Sequence, residues 1–339
     1  MNTIPDTRYP STGGAIEEIV RAKVILAPMA GVSDAPFRLI CRGFGCEFYY
    51  TEMIDVNGIV YNNRKTLRML EKLDGEGSMG VQLVGQDEEK LARVARLCQD
   101  RGFPLVDLNA GCPARKIIKG GKGAALLRSP AKLARIIRAM VKAVTVPVTV
   151  KIRSGWDSGK LNYLEVAKAA ESEGAGAVCV HARTKAAMYR GASDHNVTRE
   201  LKENLKIPVI ASGGVFSPQD AAGILASTGC DAVAMARGAL GRPWIFRDTY
   251  TYLSTGKVPD PPSFDEVKRV MAEHFRLSQE HFGAFITVKR MYKHLTWYFK
   301  GLKNLDQVTR QYLGVKCLDD FTDFLEKLRL LDGKRLTLA

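Results

Sequence analysis

The run Leu105-Val106-Asp107-Leu108-Asn109-Ala110-Gly111-Cys112-Pro113 carries an apolar strand straight into a thiol held in a turn. Val106 and Leu108 read as buried strand residues, Gly111 permits a backbone geometry that a side chain obstructs, and Pro113 fixes φ and ends the strand. Cys112 is therefore placed to react, although most free cysteines serve only as small buried apolar residues. Other residues with chemical potential sit at the ends of further apolar runs: Gln82, Lys151, Arg153, His181, Arg183 and Arg237. A lysine inside a strand is costly unless it is paired or working, and a structural role for Lys151 calls for a carboxylate such as Glu52 to neutralise it. Ser212-Gly213-Gly214 and Ala236-Arg237-Gly238 combine glycines, which let backbone amides approach an anion, with a forked cation. His181 has no partner at metal-ligand spacing, so no metal is expected.

These residues need a frame that brings strand ends together. Short apolar strands alternate with amphipathic helices to about residue 250, giving eight strands near residues 24–27, 47–51, 80–84, 106–109, 148–152, 177–181, 209–211 and 232–236. Strict alternation implies parallel strands, and eight such units match a (β/α)8 TIM barrel, an α/β fold whose reactive groups lie at the carboxyl ends of the strands. No Gly-x-Gly-x-x-Gly follows the first strand, and Gly120-Gly121-Lys122-Gly123 lacks the Walker spacing. Residues 1–250 are thus read as the catalytic barrel. The prolines 259, 261 and 262 mark a linker over 251–263, and 264–339 read as a C-terminal domain of helices only.

Charge points to a polyanion. The 339-residue chain has a formal net charge of +14. Between Asp107 and Asp157 there is no acid but eleven cations, Arg115, Lys116, Lys119, Lys122, Arg128, Lys132, Arg135, Arg138, Lys142, Lys151 and Arg153. From His281 to Leu305 acids are again absent, and Lys289, Arg290 and Lys293 interleave with Phe285, Tyr292 and Trp297, a pattern able to hold phosphates and stack bases. The aromatics equally suit the core of a small bundle. Seven scattered cysteines without a Cys-x-x-Cys pair exclude a disulfide framework and fit a reducing cytoplasm. The N-terminal stretch to Gly14 lacks a signal-peptide pattern and no window approaches a membrane span, so a cytoplasmic monomer free of membranes is expected.

Three segments in order, Ala27-Pro28-Met29-Ala30-Gly31-Val32-Ser33-Asp34, Asn109 to Pro113, and Gly238-Ala239-Leu240-Gly241-Arg242-Pro243-Trp244, resemble the signatures of the tRNA-dihydrouridine synthases, in particular their bacterial B type. The resemblance covers nearly the whole chain. It implies an FMN-binding barrel, a helical domain that grips tRNA, NADPH as reductant of the flavin, and reduction of the C5=C6 bond of particular uridines. Carried onto this sequence, Pro28, Met29, Ala30, Gln82, Lys151, His181, Ser212, Gly213, Gly214, Ala236 and Arg237 would hold FMN. Cys112 would protonate C5, and Asn109 and Arg183 would lie near the base. Ser212 and Ala236 depart from the family's usual Asn and Gly, which replaces an amide donor by a hydroxyl in the first case. Lys122 adds a charge to its glycine loop and is expected to meet RNA backbone, as are Lys289, Arg290 and Lys293. Two rivals stand beside this reading: an FMN barrel reducing a small pyrimidine-like molecule, which would not need the basic surfaces, and a tRNA-binding factor without flavin.

Overall fold

Apolar runs two to six residues long, most of them followed by a helix, can bury both their faces only as parallel strands under a helical coat. The computed structural model describes residues 14–338; the expectations for the N-terminal stretch before Gly14 lie outside the described residues. Its strands are β1 (Val24–Leu26), β2 (Tyr49–Tyr50), β3 (Ile54–Asp55), β4 (Met79–Val84), β5 (Val106–Asn109), β6 (Val148–Arg153), β7 (Ala177–His181), β8 (Val209–Ser212) and β9 (Ala232–Met235). β1 pairs with both β2 and β9, and β2 pairs with β4, so the parallel sheet closes on itself. The two-residue β3 adds to β4 beyond the end of β2, leaving the eight staves of a TIM barrel.

Register explains why the chemistry converges. Asn109 lies opposite Lys151, Arg153 opposite His181, and His181 opposite Ser212, so residues far apart in sequence become neighbours at the carboxyl rim. The helices between are stopped and started locally. Asp87 caps Glu88–Asp100 by accepting from Lys90 N–H, and Ser217 caps Pro218–Thr228 by accepting from Asp220 N–H at 3.1 Å.

Two boundaries differ from the sequence expectation. Helix Ile245–Thr255 runs through residue 250 and stops where Gly256 takes φ +72°, so the connecting segment is 256–263, not 251–263. The C-terminal region is not helical throughout. After helices Phe264–Phe282, Ala284–Tyr298, Leu305–Tyr312 and Leu318–Lys327 it ends in an antiparallel hairpin, β10 (Leu328–Leu331) with β11 (Arg335–Leu338). Asp332 and Gly333 both adopt positive φ there, the hairpin-turn conformation those residue types tolerate. Leu328 and Leu336 face the helical core while Arg329 and Arg335 face water, a period of two that the helical reading passed over.

The helical core, built on Met271, Phe275, Met291, Leu295 and Phe321, is separate from the barrel's, with Trp244 reaching into it from the barrel side. Phe37, on the barrel helix Ala35–Gly43, packs against His274 and His294 with ring centroids 5.7 and 5.5 Å away. Asp34 caps that helix and also accepts from Arg290 Nη1, an ion pair across the seam.

Candidate active site

A cavity of about 420 Å³ opens at the carboxyl rim of the barrel. Pro28, Met29 and Ala30 line it after β1, Gln82 from β4, and Asn109 and Cys112 from β5 and its turn. Lys151, His181, Ser212 to Gly214, Ala236 and Arg237 complete the wall. Every residue expected to hold FMN, with Asn109 and the expected acid, therefore faces one space.

The thiol is positioned from two sides. Asn109 Oδ1 accepts from the N–H of Gly111 at 3.1 Å and of Cys112 at 2.8 Å. Arg153, named among the strand-end residues without a role, donates through Nε to Gly111 O at 2.7 Å and through Nη1 to Thr184 O and Met188 O, tying the cysteine turn to the loop after β7. Burial raises the Cys112 thiol above its ordinary value, outweighing the Ala114 N–H and Arg153, which pull it down. At neutral pH the sulfur keeps its proton, the state an acid requires.

Opposite, the site is built for an anion. Gly213 and Gly214 have φ +100° and +79°, and a Cβ on Gly213 would fall 2.5 Å from His181 Cδ2. Only glycine fits that close approach. Arg237 lies between the rings of Tyr189 and Phe216, 5.3 and 5.2 Å from their centroids, with no carboxylate partner among the described residues. His181 is driven down to about 2, first by burial and then by Lys151, Arg153, Arg183 and Arg237. It is neutral, and its Nε2 lies 3.4 Å from Arg183 Nη1, which can donate to it. Lys151 is not neutralised by Glu52: its Nζ lies 3.4 Å from Cys179 Sγ, while Glu52 accepts from Gly31 N–H. Uncompensated cations beside a glycine-built backbone approach suit a phosphate group.

Several expected contacts are corrected. Lys122 is buried and its Nζ bonds both Asp55 oxygens at 2.8 Å, so it has no face for RNA backbone. Arg183 is also buried and donates to Gly191 O at 2.7 Å, holding the loop behind His181 and not lining the cavity. Arg290 belongs to the seam with Asp34 and lies over Phe282. Lys289 and Lys293 remain on an exposed face with Phe285 and Tyr292, Lys289 Nζ sitting 3.8 Å from the Phe285 centroid. Tyr298 and Phe299, by contrast, are core. The acid-free run also divides: Arg135 and Arg138 pair with Glu88 and Glu173, leaving Arg115, Lys116 and Lys119 exposed on the short helix just after Cys112. Tyr189, Met188 and Phe216 line the cavity unforeseen, since loop residues carry no periodicity; Met53 follows a strand end, where position alone could have flagged it.

Fold and cavity together define a (β/α)8-barrel enzyme whose mouth sets a protonated thiol against a cationic, glycine-bearing wall. Residues 25–329 match the family described as "Dihydrouridine synthase (Dus)". The chain is 41% identical over 280 residues to tRNA-dihydrouridine synthase B of Pseudomonas putida, covering 82% of this chain and 83% of that protein. It is 38% identical over 305 residues to tRNA-dihydrouridine synthase B of Proteus vulgaris, covering 90% and 94% respectively. The chain belongs to the dihydrouridine synthase family, flavin-dependent oxidoreductases that modify tRNA. Among the described residues no helix is long and apolar enough to cross a membrane, and no group of three or more His, Cys, Asp or Glu could hold a metal.

Proposed function

We propose that this protein reduces the C5=C6 bond of uridines in tRNA to 5,6-dihydrouridine, with FMN as its flavin and NADPH as the reductant. The observation that carries the reading is the half-buried, proton-bearing Cys112 on the same cavity wall as Gln82 and Lys151, across from Gly213, Gly214 and Arg237. Gly213, Gly214 and Arg237 would take the FMN phosphate, and Lys151, Gln82 and Pro28 to Ala30 the remainder. When bound, the flavin supplies the hydride for one ring carbon. Cys112 supplies the proton for the other: its S–H bond breaks as a C–H bond forms at C5, and the thiolate recovers a proton from water. Asn109 holds the turn that aims the sulfur, and Arg153 anchors that turn to the loop bearing Met188 and Tyr189.

The RNA would lie across both halves of the molecule. Arg115, Lys116 and Lys119 stand at the rim beside Cys112, and Lys289 and Lys293 flank exposed Phe285 and Tyr292 on the helical domain, residues 264–339. Such cation and ring pairs hold phosphates and stack unpaired bases. The test is to incubate the purified flavoprotein with NADPH and tRNA lacking dihydrouridine, then digest the RNA and weigh its nucleosides. A gain of two hydrogens on particular uridines is expected. Turnover of free uridine as fast as that of tRNA would overturn the reading in favour of a small-molecule reductase, and identification of the extracted flavin settles FMN.

A further inference from the structure

The line of hydrogen bonds that begins at the cysteine turn does not end at Asn109. Gly111 N–H and Cys112 N–H can only donate, so Asn109 presents Oδ1 to them and turns Nδ2 the other way, to Gln82 Oε1 at 2.8 Å. Gln82 must then present Nε2 onward, and it donates to Asp107 Oδ2 at 2.8 Å. Asp107 Oδ1 accepts from Thr149 Oγ1 at 2.7 Å. Register puts Gln82 opposite Asp107 and Asp107 opposite Thr149, so the three form one polar layer across β4, β5 and β6. Asp107 and Gln82 are 2% and 1% exposed, which leaves no bulk water to replace a lost partner.

A carboxylate in the middle of a barrel is unfavourable, and burial pushes Asp107 up to about 6. Lys151 on β6 favours its charge, whereas Tyr50 on β2 and Cys179 on β7 are neutral neighbours. An apolar side chain would fill the layer at less expense in free energy. What an apolar side chain cannot provide is the acceptor that Gln82 Nε2 requires.

We propose that Asp107 is a positioning residue for Cys112: it is the terminal acceptor that satisfies Gln82 Nε2, keeps Gln82 Oε1 on Asn109 Nδ2, and through that contact holds the turn that aims the thiol into the cavity. The need is for an acceptor at Oδ2 and not for a negative charge. A carboxyl group protonated toward Thr149, or the amide in Asp107→Asn with its nitrogen toward Thr149, still accepts from Gln82. Asp107→Leu keeps the heavy-atom count and removes both acceptors, leaving Gln82 Nε2 buried without a partner, so that Gln82 is drawn off Asn109 Nδ2 and the turn loses that support.

The thiol itself reports on this without any tRNA. Besides Cys112, only Cys317 is partly exposed among the free cysteines, so the ratio of Cys112 to Cys317 alkylation by iodoacetamide, read by peptide mass spectrometry on the flavoprotein, has an internal standard. Asp107→Asn is expected to leave that ratio and kcat within about twofold of wild type, and Asp107→Leu to change the ratio by at least about threefold and lower kcat about tenfold at unchanged KM for tRNA. Should Asp107→Leu not fold, Gln82→Glu sets an acceptor against the Asp107 carboxylate and should change the ratio alike, and adding Asp107→Asn should restore it. Equal damage from Asn and Leu would assign the role to charge and overturn the proposal. A ratio and kcat untouched by Leu would do the same. The kcat arm rests on the uridine-reductase reading; if the alkylation pattern holds while no variant or wild type reduces tRNA, that reading fails and the relay stands.

Discussion

His181 at the barrel mouth and His274 in the seam between barrel and helical domain are both neutral and pushed far below their ordinary value, for different reasons. Burial alone depresses His274, to about 3, with no charged group among its causes: Phe37, His294 and Tyr298 pack its ring, and Arg290 in the seam is paired with Asp34. His181 is depressed by burial and also by four cations, with no carboxylate among its causes. Unbalanced charge costs stability in the folded protein, and a bound anion relieves it. The mouth is thus arranged for a ligand and the seam for itself, which separates function from scaffold on electrostatic grounds.

The largest test of that separation exchanges one residue on each side. Cys112→Ala is expected to lower tRNA-dependent turnover by about 10²- to 10⁴-fold, the range for losing a proton donor, with flavin retained and thermal stability little changed. Phe37→Ala should behave oppositely, lowering stability by about 3–5 kcal/mol in denaturant titrations while the folded fraction keeps its turnover. Loss of flavin in the first, or of chemistry alone in the second, would break the division. One step down, Arg237→Ala removes the cation held between Tyr189 and Phe216. FMN affinity should fall about 10- to 100-fold, the worth of a charge-assisted contact, as read by titrating the apoprotein with FMN. The chain has only five histidines, so their ring protons can be followed by NMR. FMN should raise the His181 titration and leave His274 where it is.

The lining of the candidate site was largely legible because alternation is a strong signal: once strands are parallel and eight in number, their carboxyl-terminal halves and the turns after them share a rim, where Gln82, Lys151, His181 and Cys112 lie. The rest was hidden for physical reasons. Tyr189 and Phe216 come from loops, where no period reveals which way a side chain points. The acid-free run misled because charge is balanced through space: Asp55, Glu88 and Glu173 lie outside the run and still neutralise Lys122, Arg135 and Arg138. The terminal hairpin was missed because Leu328 and Leu330-Leu331 continue a helix-like apolar density, and only the Asp332-Gly333 turn separates the two readings.

A smaller effect tests the seam through pH. His274 has a depressed value in the folded chain, so the unfolded chain takes up a proton that the folded one refuses; stability is present above about 6.5 and is lost as pH falls through that value. Between pH 7 and 5 this amounts to about 2 kcal/mol. His294 adds in the same direction, while Asp34 and Asp107, raised to about 6, oppose it by binding protons more tightly when folded. The difference between wild type and His274→Gln removes those opposing contributions. Relative to that variant, wild type should lose about 2 kcal/mol between pH 7 and 5 in chemical denaturation. A pH-independent difference would mean that the seam admits water and that His274 titrates freely.

The smallest expected effect separates cations that look alike in sequence. Lys122 and the trio Arg115, Lys116 and Lys119 lie within eight residues of one another, yet Lys122 is bonded to Asp55 while the trio is exposed. Lys122→Ala should therefore cost about 1 kcal/mol of stability, since Asp55 is partly solvated and the pair is only half shielded, and should leave tRNA affinity and its salt dependence unchanged. Replacing the trio by alanine should do the reverse, flattening the plot of log affinity against log salt by up to about 2 to 3 units, as each released phosphate contact removes about 0.7 to 0.9. If Lys122→Ala flattened that slope, the Asp55 pair would have to open for RNA, and the boundary of the ligand-seeking mouth would extend to the Gly120–Gly123 loop.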